Sequence, residues 1–111
     1  MGNFQLGEFE EIVMLTVAVL FDEAYGVAIR EEIESKLDRK VSIGALQTAL
    51  RRLEQKGYLD SRMGEATAMR GGKRKRFFTV TPYGKKALDH VAEMRQKLRD
   101  NIPTIAFDFG K

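Results

Sequence analysis

SIGALQTALRRLEQKG, residues Ser42 to Gly57, carries the marks of a helix at both ends. The Ser42 hydroxyl can cap the amides of a first turn, and Gly57 can adopt the left-handed conformation that stops a helix. Between them Ile43, Leu46, Leu50 and Leu53 recur at intervals of three and four, a stripe that must be buried. The other face carries Ala45, Gln47, Thr48, Arg51 and Arg52, with no acid before Glu54. Small residues let a helix come close to a surface, and amide and guanidinium groups are the side chains that hydrogen-bond base edges in a major groove. The stretch reads as a recognition helix; the alternative is an ordinary solvated face, which Arg and Gln also coat.

Upstream, Tyr25-Gly26 opens a helix to about Leu37, with Ile29, Ile33 and Leu37 on its core stripe and Arg30, Glu31, Glu32 and Glu34 outside. Asp38 to Val41 is a short link. An earlier helix runs from Glu8 to Phe21, its acids Glu8, Glu10 and Glu11 near the positive end of the dipole. Ile12, Val13, Leu15, Val17, Leu20 and Phe21 cannot all face one neighbour, so this helix is buried on two sides. In so short a chain the second side is assigned to another subunit, the alternative being a wrap by the chain's own C-terminal segment. Helix, turn, helix, link, helix is the order of a helix-turn-helix unit.

Downstream, Leu59 to Gly64 alternates and reads as a strand, and Arg76 to Thr81, RFFTVT, as a second. Between them Arg70-Gly71-Gly72-Lys73 forms a turn, followed by Arg74, Lys75 and Arg76 without an acid. A hairpin with a glycine tip and a basic flank suits a phosphate backbone or a minor groove; the alternative is a solvated loop. Thr81-Pro82 starts a last helix, with a hydroxyl cap and a proline at the first helical position. That helix carries Leu88, Val91, Met94 and Leu98 towards Ile102. It follows a completed domain and has few intrachain neighbours for this stripe, so it reads as a dimer helix. The tail, Asn101 to Lys111, breaks at Pro103 and then alternates Ile105, Phe107 and Phe109, with no role assigned.

The 111 residues make one domain, and the absence of cysteine excludes a disulfide framework and thiolate metal sites. MGNFQLGEFEE lacks the basic and apolar regions of a signal peptide, and Ile12 to Phe21 is too short to cross a bilayer. No membrane contact and a cytoplasmic location are expected. The net charge of +3 conceals a polarity: residues 1–38 sum to −7, residues 39–76 to +8 and the remainder to +2. One strongly basic portion in a small domain is the footprint of a polyanion binder. Chemistry is poorly provided for. His90, the single histidine, falls on a charged helix and reads as a surface residue, and no phosphate-binding glycine motif precedes a helix. Neither an enzyme nor a metal or other cofactor is expected.

LGEFEEIVMLTVAVL, AYGVAIREEIE, VSIGALQTALRRLEQKGYLDSR and RGGKRKRFFTVTPYGKKAL, in that order over roughly residues 6 to 90, resemble the successive blocks of the PadR-like transcriptional regulators, in the short form with one C-terminal helix. The fold so implied is mainly α with a small β-hairpin, a winged helix-turn-helix over residues 1–81 followed by a C-terminal dimerisation helix and tail over 82–111. The resemblance implies a homodimer that binds double-stranded operator DNA and represses transcription. Tyr25 would lie near the DNA backbone; Ser42, Ala45, Gln47, Thr48 and Arg51 would face the major groove, with Arg52 beside them. Gly71, Gly72, Lys73 and Arg74 would form the wing, flanked by Arg70 and Lys75. Phe9, Val13, Val17, Leu88, Val91, Met94, Leu98 and Ile102 are expected at the dimer interface. Drug-sensing members bind flat aromatic compounds between tryptophans, and this chain has none. A small apolar or aromatic inducer would instead meet Phe9, Met14, Phe107 or Phe109. The competing reading is a winged-helix module acting through protein contacts or through nonspecific nucleic-acid binding.

Overall fold

A computed structural model of the protein describes residues 4–65 and 74–110. Helix α1 (Glu8–Leu20) ends in a single 3-10 turn (Phe21–Glu23) and is followed by α2 (Gly26–Leu37) and α3 (Ile43–Gln55). Strands β1 (Leu59–Met63) and β2 (Arg76–Val80) come next, then α4 (Pro82–Asp100) and a last 3-10 turn (Thr104–Phe107). The architecture is the expected one, mainly helical with a two-stranded antiparallel hairpin. Its caps are those the sequence marks: Ser42 Oγ accepts the Ala45 N–H at 3.0 Å, and Thr81 Oγ1 accepts that of Gly84 at 2.9 Å. Gly57, just past α3, takes a φ of 82°, which lets the chain reverse into β1.

Val13, Met14 and Val17 of α1, Ile29 and Ile33 of α2, and Leu46, Leu50 and Leu53 of α3 form one core, closed by Tyr58, Leu59, Phe78 and Ala87. Val13 and Val17, expected at a subunit contact, are thus buried inside their own chain, at 0% and 1% exposure, with nothing left for a partner to touch. The outward stripe of α1 is Leu15 and Val19 instead, 46% and 67% exposed. Met14 is equally buried and cannot line an open inducer pocket. Ile43 and Leu37, placed on core stripes by their spacing, remain exposed because each is the terminal residue of its helix.

The link between α2 and α3 is pinned at both polar groups of one residue. The Val41 N–H donates to Glu34 Oε2 at 2.8 Å, and the Val41 carbonyl accepts from Arg30 Nε at 3.0 Å. Arg30 and Glu34, read from the sequence as outward-facing, therefore satisfy backbone groups beside a buried side chain and fix the angle at which α3 leaves α2.

The hairpin pairs Leu59 with Val80 through to Met63 with Arg76. The Phe78 N–H donates to the Ala24 carbonyl at 2.8 Å, which ties the hairpin to the turn before α2, and the Thr81 N–H donates to the Tyr58 carbonyl at 3.0 Å, which carries the pairing one residue past Val80. Thr81 Oγ1 also donates to the Gly57 carbonyl at 2.6 Å, so one residue joins the end of α3, the end of β2 and the start of α4. Gly84 makes that junction possible, since a Cβ there would collide with the Tyr58 carbonyl and stand 3.1 Å from Met14 Cε.

The segment before α1 folds across the foot of α3 and α4. Phe4 sets its ring 5.4 Å from that of Tyr83 and 5.3 Å from that of His90, which is half-buried rather than a free surface residue. Lys56 Nζ donates to the Gln5 carbonyl and to Glu10 Oε1, both at 2.9 Å. Partial burial works to raise the Glu10 carboxyl, but the Gly7 N–H and the Lys56 ammonium outweigh it and hold it below its ordinary value of 4.5. Among the described residues no helix is long and apolar enough to cross a membrane.

Gly84→Ala should lower stability by about 1–3 kcal/mol through overpacking, a loss of roughly 4 °C or more in Tm per kcal/mol. Thermal denaturation within a degree of the parent would show that α4 does not sit as closely on Tyr58 as described. Glu10, ionised more readily folded than unfolded, adds stability that is present above pH 4.5 and is lost as pH falls through its lower folded value. Glu10→Gln should therefore flatten the acid limb of a stability–pH curve; an unchanged limb would contradict that role.

Candidate nucleic-acid interface

Because Leu46, Leu50 and Leu53 turn α3 one way, its remaining residues must point out. Ser42, Ala45, Gln47, Arg51 and Arg52 are exposed and Thr48 is half-buried, so all the side chains singled out on this helix are at the surface. They do not share one surface, however. Gln47 and Arg51 line a cleft of about 560 Å3 between α3, the start of α2 and β2, together with Tyr25, Glu54, Lys75 and Arg76. Ala45, Thr48 and Arg52 border a second concavity of about 1020 Å3, shared with the segment before α1 and with Val91 and Met94 of α4. The Arg52 charge adds to those that lower the Glu10 carboxyl there.

The first cleft is built by the hairpin coming back on to α2. Tyr25 is the residue before α2, which begins without a side-chain cap, and Gly26 and Val27 of its first turn line the cleft. Tyr25 pairs with Phe77 as an isolated bridge, and their rings meet edge to face at 5.5 Å. Lys75 Nζ lies 3.9 Å above the Tyr25 ring and the Arg62 guanidinium 4.8 Å above that of Phe77. Each such cation–π contact is worth about 0.5–1 kcal/mol at an exposed site; that of Lys75, with the Tyr25–Phe77 bridge, holds the base of the hairpin against the start of α2, and that of Arg62 braces the hairpin itself. Arg76 Nη1 donates to Ser61 Oγ at 2.8 Å and Ser61 Oγ to Glu54 Oε2 at 2.7 Å, a chain that ties the hairpin to the end of α3. Arg74 is exposed and donates from Nε to the Gly64 carbonyl at 2.7 Å.

Arg70, Gly71, Gly72 and Lys73, expected at the wing tip, lie outside the described residues. Two other bases of the +8 segment are turned back towards α1. Arg39 makes a two-pronged contact with Glu8, at 2.9 and 3.1 Å, which holds the Glu8 carboxyl below its ordinary value and raises Arg39. Lys56 is taken by Glu10. Of the segment's other described bases, Arg51, Lys75 and Arg76 line the cleft and Arg62 and Arg74 lie on the hairpin beside it, while Lys40 and Arg52 are exposed elsewhere. Arg62, Arg76 and Phe77 lie outside the site residues that the sequence marks; the unbroken basic run Arg74-Lys75-Arg76 is the signal that reaches Arg76, and Arg62 and Phe77 meet only through the strand register. Of the residues expected at a dimer interface, Phe9, Leu88 and Val91 are half-buried, while Met94 and Leu98 of α4 and Ile102 just beyond it are exposed. Among the described residues no group of histidines and acids could hold a metal ion.

Known structures share this fold. A PadR-like transcription factor from Bacteroides fragilis superposes with a TM-score of 0.70 over 83% of this chain and 84% of its own, at 24% identity. A transcriptional regulator from Clostridium thermocellum gives 0.68 over 92% of both chains at 26% identity. A PadR family transcriptional regulator from Eggerthella lenta gives 0.66 over 90% and 87% at 24% identity. No curated protein sequence is similar enough to match. The family model of the transcriptional regulator PadR-like family matches residues 14–90, well over half of the sequence. The chain therefore belongs to the PadR-like family of transcriptional regulators and carries its DNA-binding winged-helix fold.

Proposed function

We propose that the chain is a sequence-specific, homodimeric repressor that acts in the cytoplasm on double-stranded operator DNA. The observation that carries this reading is the cleft where Gln47 and Arg51 of α3, the uncapped start of α2, and Lys75 and Arg76 of the hairpin converge. Amide and guanidinium groups on a protruding helix suit base edges in a major groove. Helix amides and hairpin bases beside them suit the phosphates that fix its register. In this reading Arg51 and Gln47 specify sequence, Ser42, Ala45 and Thr48 allow close approach, and Tyr25, Arg74 and Lys75 grip the backbone. Two subunits joined through α1 and α4 would place two α3 helices on half-sites about 10 base pairs apart, or a multiple of that. Relief by a small apolar or aromatic molecule completes the proposal. The concavity beside Ala45 and Thr48, with Phe9, Val91 and Met94 on its wall, is where such a molecule would reach α3 directly.

A binding selection from genomic fragments, followed by salt titrations, tests the proposal. A two-fold symmetric site should emerge, bound about a thousandfold or more tighter than random DNA. Arg51→Ala should cost about 1–3 kcal/mol on that site if it reads a guanine, with little change on random DNA. Lys75→Ala should weaken all sequences alike and lower the salt slope by about one. Weak binding that is equal on selected and random DNA would favour protein partners or a nonspecific clamp.

A further inference from the structure

Gln47, Arg51 and Glu54 follow one another on α3 at intervals of four and three, so all three project to one side and line the cleft between α3, the start of α2 and β2. Glu54 is the one acid among the cleft's described lining residues, which include the bases Arg51, Lys75 and Arg76. An acid three residues after an arginine on a helix is placed to pair with it. Among the described residues, however, Arg51 enters no ion pair. Glu54 Oε2 accepts instead from Ser61 Oγ of β1 at 2.7 Å, and Ser61 Oγ accepts from Arg76 Nη1 of β2 at 2.8 Å.

The strand register brings the two hairpin residues together. Ser61 lies opposite Phe78 and Met63 opposite Arg76, so Arg76 is the diagonal neighbour of Ser61 on one face of the hairpin. Phe78 shares that face and belongs to the core that holds Leu50 and Leu53 of α3. A serine hydroxyl has one proton to give. Giving it to Glu54 leaves only lone pairs for Arg76, so the carboxylate sets the direction of the hydroxyl and the hydroxyl that of the guanidinium. With Nη1 spent on Ser61, the edge formed by Nε and Nη2 keeps two parallel N–H groups. Among the described residues no acceptor meets that edge, and Arg76 is exposed. Two parallel donors match the oxygens of a phosphate in a two-pronged contact.

We infer that Arg76 is a phosphate anchor of the DNA interface and that Ser61, held by Glu54, is its positioning residue. This rests on the DNA reading proposed above and adds to it the device that aims one of the hairpin bases. An exposed arginine searches many rotamers, and a phosphate contact has to freeze them. The chain from Glu54 through Ser61 removes part of that freedom before DNA arrives. It also carries the orientation of α3 across to β2, so that Arg51 in the groove and Arg76 on the backbone are held in one frame.

Anisotropy titrations of a labelled selected duplex with the parent, Ser61→Ala, Arg76→Ala and the double variant form a double-mutant cycle that tests the relay. Arg76→Ala should weaken binding and lower the salt slope by about one. Ser61→Ala should weaken binding by about two- to tenfold, the range expected when one more side chain must be immobilised on association, and should leave the salt slope unchanged because the Arg76 charge remains. In the Arg76→Ala background the same Ser61→Ala change should have no effect. An equal loss in both backgrounds would show that Ser61 serves the fold rather than Arg76, and parent-like affinity in Ser61→Ala would show that Arg76 needs no aiming. A salt slope unchanged in Arg76→Ala would remove the phosphate anchor. Each of these overturns the relay and leaves the DNA reading standing. Parent protein that binds selected and random duplexes equally would remove the DNA reading, and the relay with it.

Discussion

Three leucines on one helix constrain nearly everything the molecule shows to its surroundings. Leu46, Leu50 and Leu53 are buried to within 5% exposure against α1, α2 and the hairpin. Burial of that size, about 1.5–3 kcal/mol per side chain, fixes the rotation of α3 about its axis. With rotation fixed, Gln47 and Arg51 have to face outward on one flank and Thr48 and Arg52 on the other. The remaining freedom, the angle between α2 and α3, is removed at Val41, where Arg30 and Glu34 take up both backbone polar groups. Gly57 and Thr81 then determine where the hairpin starts and ends relative to the helix. A recognition surface is useful only if its side chains are held in place before a ligand arrives, and this packing does that holding.

Electrostatics sharpen the same surface. The sequence separates its charges along the chain, and the fold separates them again in space. Arg39 and Lys56, which belong to the basic segment, are returned to acids at the start of α1, while Arg51, Arg62, Arg74, Lys75 and Arg76 remain with the cleft and the hairpin. Lys75 and Arg62 rest on aromatic rings, an arrangement that orients a cation without neutralising it. Their charge stays available to an anion, as an acid partner's pairing would not allow.

Much of this was legible from residue spacing because helix ends and apolar stripes are local properties. Ser42, Thr81-Pro82 and Gly57 mark boundaries that the structure keeps, since caps depend on residues within one turn. What was not legible involves choices between equivalent local patterns or contacts across the chain. A helix apolar nearly all round does not declare which stripe its own core will take; it took Val13 and Val17 and left Leu15 and Val19 outside. Arg30 and Glu34 look like any solvated pair until the link folds back over them. Tyr25 and Lys75 are far apart in sequence, so their stacking needs the hairpin in place first. His90 likewise reads as a surface residue because Phe4, the ring that covers it, comes from the other end of the chain.

The central claim is that α3, the start of α2 and the base of the hairpin act as one face towards DNA. Mapping backbone amide shifts on titration with the selected duplex tests it most directly, and a chain of this size suits the method. The predicted result is a contiguous set of shifts over residues 42–51, 25–28 and 74–75, with the last two groups shifting on random DNA as well. Shifts confined to α4 and the tail, or spread without focus over the basic residues, would contradict the account.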